Sequence, residues 1–294
     1  MVGEVDSMSM TRRGFLWGAL ALSASACGAP CRRAETSAVA WRRWAVAYGV
    51  IELEAARGLE LLVVEPANFR SLAGLRERTD AVLCGYVSVG EISEGDPDFA
   101  ALEHTPAVFE TTTHWGSRHV DLRSARWREH VLARIGQLVE SGYDGVMLDT
   151  IDTPLEHERR DPGFYHGTTQ MARALLEQIG RTYPGLMVLL NGGYGLGDEL
   201  PDAVDALVIE SLFGGYDART GAYRQARSSS ERAEVIAWIE RARRRRSLPV
   251  FAIDYAEDAR SEEALQRART LRQLGFSPYI ARGELAQIQK QPRL

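Results

Sequence analysis

Between Ala45 and Ala281 the chain alternates short apolar, β-branched runs with longer stretches whose apolar residues recur at helical spacing. Eight runs read as strands: Ala45–Tyr48, Leu61–Val64, Val82–Val87, Gly145–Leu148, Met187–Leu190, Ala206–Ile209, Val250–Ile253 and Pro278–Ala281. The helical stripes are Trp127, Val131, Ile135 and Leu138 before Gly142; Met171, Leu175 and Ile179 before Pro184; Val235, Trp238, Ile239 and Ala242; and Leu265, Ala268, Leu271 and Leu274, opened by Ser261 with two glutamates and closed by Gly275. Runs that are apolar throughout are buried on both faces, and strands of that kind alternating with helices form a parallel sheet. Eight of them in about 250 residues predict a closed (β/α)8 TIM barrel. The alternative, an open doubly wound sheet, would place a Gly-rich phosphate loop after its first strand, and Tyr48-Gly49-Val50-Ile51 is not one.

Composition changes this picture little. The 294 residues carry a net charge of -5, and the one basic run, Arg241 with Arg243 to Arg246, reads as the solvated end of a helix. No basic face suited to nucleic acid is expected. The N-terminus adds an address. Thr11-Arg12-Arg13-Gly14-Phe15-Leu16 is a twin-arginine pattern, followed by an apolar stretch to Ala26 that falls short of the roughly 20 residues a spanning helix needs. Residues 1–26 are therefore expected to be a signal peptide, 27–40 a tether and 41–294 the folded domain. Ser25-Ala26-Cys27-Gly28 resembles a lipobox, which makes Cys27 a candidate lipidation site, whereas Ala24-Ser25-Ala26 suits an ordinary signal peptidase. The expectation is an exported monomer, a periplasmic or cell-surface lipoprotein or a secreted protein, touching membrane only through such an anchor. Three cysteines imply no disulfide framework, and Cys84, inside an apolar run, reads as a small core residue.

The chemistry is concentrated where the apolar runs end. Glu65, Glu91, Asp149, Asp152, Asn191, Glu210 and Asp254 follow strand runs, and barrel enzymes assemble their sites at the C-terminal ends of the strands. Asp80, Asp144 and Asp205 precede runs and belong to turns. Clustered carboxylates need water, a metal or a cationic ligand beside them. Two of them without a metal suit glycoside hydrolysis, in which one protonates the leaving oxygen and the other attacks the anomeric carbon or activates water. A metal hydrolase would draw on His104, His114, His119, His130, His157 and His166, but none ends a strand and no HExxH occurs. No metal or cofactor is expected.

Trp44 with Tyr48-Gly49, LLVVEP, YVSVGEI, Val120-Asp121-Leu122 with Trp127-Arg128, GYDGVMLDTID, the Asn191 strand end, ESLF and IDYA occur in that order across nearly the whole chain after the leader. In these motifs it resembles the family 114 glycoside hydrolases, the endo-α-1,4-polygalactosaminidases. The resemblance implies a TIM barrel with a catalytic Asp after strand four and Glu after strand six, here Asp149 and Glu210, and a galactosamine-containing polysaccharide as substrate. If that polymer is cationic, Glu65, Glu91, Asp152 and Asp254 are expected to bind its ammonium groups, with binding weakened by salt. Tyr48, Tyr86 and Tyr255 are expected to stack on sugar faces, and Asn191 to contact substrate. The competing expectation is a non-catalytic exopolysaccharide-binding lipoprotein that keeps the barrel.

Overall fold

A computed structural model of the chain describes residues 41–69, 71–112 and 116–291. The expected signal peptide, tether and Cys27 lie outside the described residues, as does His114. Each of the eight runs is a strand: β1 (Trp44–Ala47), β2 (Leu61–Val64), β3 (Val82–Ser88), β4 (Gly145–Asp149), β5 (Met187–Asn191), β6 (Ala206–Glu210), β7 (Val250–Tyr255) and β8 (Ser277–Ala281). They pair in chain order, all parallel, as the sheet of a nearly closed TIM barrel. The observed strands run one residue past the apolar runs at β4, β5 and β6, so Asp149, Asn191 and Glu210 are themselves the last strand residues. Tyr48 falls just beyond β1, where its N–H donates to Leu285 O at 2.7 Å.

The helices are α1 (Ala125–Glu140), α2 (Asp152–Arg160), α3 (Thr168–Thr182), α4 (Ser229–Ala242) and α5 (Glu262–Gln273), with single turns at Ala73–Arg76 and Phe99–Leu102. The expected stripes of α1 and α4 are buried, Trp127, Val131, Ile135 and Leu138 in the first and Val235, Trp238, Ile239 and Ala242 in the second, whereas in α5 the buried residues are Ala264, Ala268 and Leu271, with Ala264 in place of Leu265. Ser228 and Glu231 form a reciprocal capping box that starts α4, and Ser261 Oγ accepts from Ala264 N at the start of α5. Gly142, at φ 86°, ends α1 in the left-handed conformation that a side chain resists. The basic run does finish α4, where Arg241 pairs with Asp198 at 2.8 Å and Arg246 donates to Pro201 O and Asp202 O. No helix among the described residues is long and apolar enough to cross a membrane.

Two ends of the barrel differ in chemistry. At the N-terminal ends, Asp144 accepts from Leu83 N and Arg76, and Asp205 accepts from Val188 N, so the acids that precede strands brace the sheet. The C-terminal ends carry two insertions. One is a small antiparallel sheet (Glu91–Ser93, Val108–Thr112 and Ser117–Val120) after β3, and the other is a hairpin (Gly214–Asp217 and Ala222–Gln225) after β6.

No β1–β8 ladder forms among the described residues, and side chains close that seam instead. Trp44, 1% exposed, donates from Nε1 to Ser277 O at 3.0 Å and meets Phe251 and Tyr279 at ring distances of 4.8 and 5.5 Å. Removing it leaves a cavity and an orphaned carbonyl together. Trp44→Ala is expected to cost about 3 to 5 kcal/mol in chemical denaturation. A loss below about 1 kcal/mol would mean that the seam is held elsewhere.

Candidate active site

The last residues of β4, β5 and β6 meet at one nitrogen. Asn191 Nδ2 donates to Asp149 Oδ1 at 2.8 Å and to Glu210 Oε2 at 3.3 Å. Strand register explains the meeting, because Asn191 pairs with Val208 in β6, two residues before Glu210 and on the same face of the sheet. Each carboxylate is also held from outside the trio: Tyr86 Oη donates to Asp149 Oδ2 at 3.1 Å, and Tyr255 Oη donates to Glu210 Oε1. Tyr48 closes the ring by packing edge-on against Tyr86 at 4.8 Å. Asp149 and Glu210 are half-buried, whereas Asn191 and Tyr255 are buried. Burial, and after it the charge of Glu210, raises the Asp149 carboxyl to about 6. Burial and the same carboxylates push the three phenols above their ordinary value, which keeps them as donors.

The backbone behind both acids is unusual. Thr150 and Ser211, the residues after Asp149 and Glu210, have φ of 63° and 57°, a region that non-glycine residues avoid and a β-branched one most of all. Residues of the YVSVGEI motif hold Thr150 there. Val89 N donates to Asp149 O at 2.9 Å, Gly90 N donates to Thr150 Oγ1 at 2.8 Å, and Ser88 Oγ lies 2.8 Å from that hydroxyl. A methyl group on Gly90 would collide with the Thr150 carbonyl oxygen. The two most distinctive motifs are thus halves of one clamp.

A half-exposed carboxylate pair at the C-terminal mouth of a barrel fits glycoside hydrolysis, and comparison with known proteins agrees. The model of glycoside-hydrolase family GH114 matches residues 28–293. The chain belongs to that family. It is a glycoside hydrolase by family and by its similarity to solved members. The glycoside hydrolase domain of PelA from Pseudomonas aeruginosa is 28% identical, with a TM-score of 0.72, covering 84% of this chain and 99% of that one. Aspergillus fumigatus Ega3, solved with galactosamine, is 16% identical with a TM-score of 0.60, covering 85% of this chain and 94% of that one, and at this identity it shows the fold alone. Comparison with curated protein sequences finds no match.

In this GH114 chain the other expected mouth residues are mostly engaged elsewhere. Asp254 is a correction: it is 0% exposed and cannot meet substrate. Its oxygens accept from Phe213 N and Gly214 N at 2.9 Å each, with Arg267 3.7 Å away, and burial raises its carboxyl to about 6. Side chains alternate along a strand, so if Tyr255 faces the mouth its neighbour Asp254 must face out. Asp152 accepts from Gly193 N at 2.7 Å and Gly195 N at 3.4 Å, pinning the loop after β5. Glu91 accepts from Ser117 Oγ and Thr153 Oγ1, joining the small sheet to α2. Glu65 caps the turn after β2 through Ala67 N and borders a cavity of about 540 Å³ that Tyr86, Ser88 and Glu91 also line, together with Trp127, His130 and Arg134 of α1. Of the four acids expected to bind ammonium groups, Asp254 is thus withdrawn, while Glu65, Glu91 and Asp152 keep partial exposure. Tyr86 and Tyr255 orient carboxylates through their hydroxyls, a role distinct from the stacking expected of them.

The sequence reading passed over Thr150, Ser88 and Gly90, although all three lie inside quoted motifs, and Arg227, whose loop carries no motif. Among the described residues one histidine group converges like metal ligands, His130 with Asp96 and Asp98, and His130 and Asp96 line the cavity that Glu65 and Tyr86 border.

Gly90→Ala is expected to displace Thr150 and with it Asp149, lowering kcat/KM at least about a hundredfold while the circular dichroism spectrum stays that of the parent. Undiminished turnover in that variant would show that the clamp does not set the position of Asp149.

Proposed function

We propose that this chain cleaves an α-linked, galactosamine-containing polysaccharide, in the manner of an endo-α-1,4-polygalactosaminidase, with Asp149 as nucleophile and Glu210 as general acid/base. The carrying observation is the nitrogen that Asp149 and Glu210 share. The two hydrogen bonds laid end to end keep their nearest oxygens within about 6 Å. Retaining glycosidases separate their carboxyls by about 5 to 5.5 Å and inverting ones by about 6.5 to 9.5 Å, so the arrangement favours retention. In the first step Asp149 bonds to the anomeric carbon as the glycosidic C–O bond breaks and the Glu210 proton passes to the leaving oxygen. In the second, water gives its proton to Glu210, its oxygen bonds to the anomeric carbon, and Asp149 departs with the electron pair. Tyr86 and Asn191 hold Asp149 for attack; Tyr255 holds Glu210. Ega3 supports the choice of sugar, since it was solved with galactosamine. The twin-arginine leader supports export, with attachment at Cys27 as its lipoprotein form.

The direct test is to incubate residues 41–294 with acetylated and deacetylated galactosamine polymers and with neutral galactans. Released oligosaccharides are expected from galactosamine polymers; release from none of them would favour the non-catalytic binding protein. Asp149→Asn and Glu210→Gln are each expected to lower turnover at least about a hundredfold. Activity above a few per cent in either variant would remove that residue from the pair.

Attack needs ionised Asp149, whose carboxyl is raised to about 6, so kcat/KM is expected to climb as pH rises through about 6. A flat profile from pH 5 to 7 would exclude Asp149 as the attacking group. The same shift acts on stability. A carboxyl raised above the ordinary 3.8 favours the fold while protonated, and that contribution is lost as pH rises from about 4 to about 6. Asp149→Asn is accordingly expected to raise Tm by about 2 °C or more at pH 7 and not at pH 4. An equal Tm change at both pH values would refute the burial argument.

A further inference from the structure

We infer that the cleft between the hairpin and the loop after β7 holds the sugar units on the leaving side of the cleaved bond, about two of them. The product released from that side is then a disaccharide or longer. The inference rests on the glycosidase reading above and extends it to a binding site beyond the carboxylate pair.

The cleft encloses about 800 Å³. Its walls are the second hairpin strand with Tyr223 and Arg224, the loop 256–261 after β7, the start of α5, and Arg282 and Lys290 beyond β8. Tyr255 joins it to the catalytic site, because that residue lines the cleft and its hydroxyl donates to Glu210 Oε1. Tyr216 links Tyr255 to the hairpin wall: it lies 6.3 Å from Tyr255 and 5.1 Å from Tyr223, its cross-strand partner. The hairpin is firmly seated. Phe213 N and Gly214 N at its base donate to Asp254 at 2.9 Å each, Ala226 N donates to Phe213 O at 3.0 Å, and Arg227 Nη2 donates to Glu210 O at 3.4 Å. A methyl group on Gly214 would collide with the Tyr255 carbonyl oxygen and the Arg267 guanidinium, so the hairpin base lies directly against the end of β7.

Direction follows from the proposed chemistry. The general acid protonates the oxygen of the departing chain, so that chain lies on the side of Glu210. The cleft adjoins Glu210 through Tyr255 and the hairpin, whereas Asp149 is held from β3 by Tyr86. Its volume falls within the roughly 300 to 1,000 Å³ of sites that take small molecules, room for about two sugar rings. The lining suits sugar hydroxyls, which both donate and accept. Arg260 and Arg282 supply donors, and Glu257 and Asp258, exposed and in no ion pair among the described residues, supply acceptors. Charges of both signs stand in the cleft, so it reads rings and hydroxyls rather than the charge of the amino group. Tyr223, half-buried, adds an aromatic face for a ring to pack on.

The test uses galactosamine oligomers of increasing length, isotopically labelled at the reducing end, beside an aryl galactosaminide whose leaving group is too short to fill the cleft. The shortest main labelled product is expected to be a disaccharide, and kcat/KM to rise about tenfold or more as the leaving side grows from one unit to two. Tyr223→Ala is expected to lower the ratio of long-oligomer to aryl-galactosaminide kcat/KM about tenfold. Glu257→Gln combined with Asp258→Asn, isosteric changes on exposed side chains, is expected to lower the same ratio about fivefold, and it keeps the test decisive if Tyr223→Ala loosens the hairpin. A labelled monosaccharide as the main product, or a ratio unchanged in both variants, overturns the inference. Binding of long oligomers is measured in parallel by calorimetry in the Glu210→Gln protein. If no oligomer is cleaved by the parent while the cleft variants still weaken that binding, the hydrolase mechanism fails and the sugar site stands.

Discussion

Two carboxylates held against one amide nitrogen form the constraint around which the mouth of this barrel is arranged. Asp149 and Glu210 repel one another when both are ionised, and burial makes that repulsion stronger than it would be in water. Asn191 Nδ2 bridges them, and each has its own phenol on the far oxygen. Every donor in the array comes from a different strand end, so the array exists only when β3 to β7 are in register. Burial first, and the charge of Glu210 second, raise the Asp149 carboxyl within that array.

Holding like charges together requires a rigid support, and the left-handed backbone after each acid provides it. Thr150 and Ser211, at φ of 63° and 57°, turn the chain sharply directly after each acid. Thr150 keeps this conformation because the backbone of Val89 and Gly90 and the hydroxyl of Ser88 surround it. Ser211 N donates to Ile253 O, tying the second turn to β7. Fold and chemistry therefore share residues, and a glycine that looks like loop composition is a steric requirement of the site.

The remaining acids illustrate how little a carboxylate's position in the chain says about its task. Asp144 and Asp205 brace the N-terminal ends, Asp152 and Glu91 join loops at the C-terminal end, and Asp254 anchors the segment after β6 from outside the barrel. Each satisfies backbone or hydroxyl donors that would otherwise be buried without acceptors.

The sequence by itself determined the barrel, because apolar runs of strand length separated by helical stripes depend only on local periodicity and on burial of both sheet faces. It also brought the polar residues that end the runs to one mouth, since C-terminal strand ends converge in such a barrel, but it was the resemblance to family 114 that singled out Asp149 and Glu210 among them. The side-chain direction of a strand-end acid was decided by the tertiary structure: alternation separates Asp254 from Tyr255, but which of the two faces in depends on the register of β7 against β6. Likewise Arg227 reaches the Glu210 carbonyl from 17 residues away, through a hairpin and a loop whose path no periodicity encodes. Local patterns are set by short-range physics and can be read along the chain; the partners of a buried polar group are set by packing in three dimensions, and only the folded molecule reveals them.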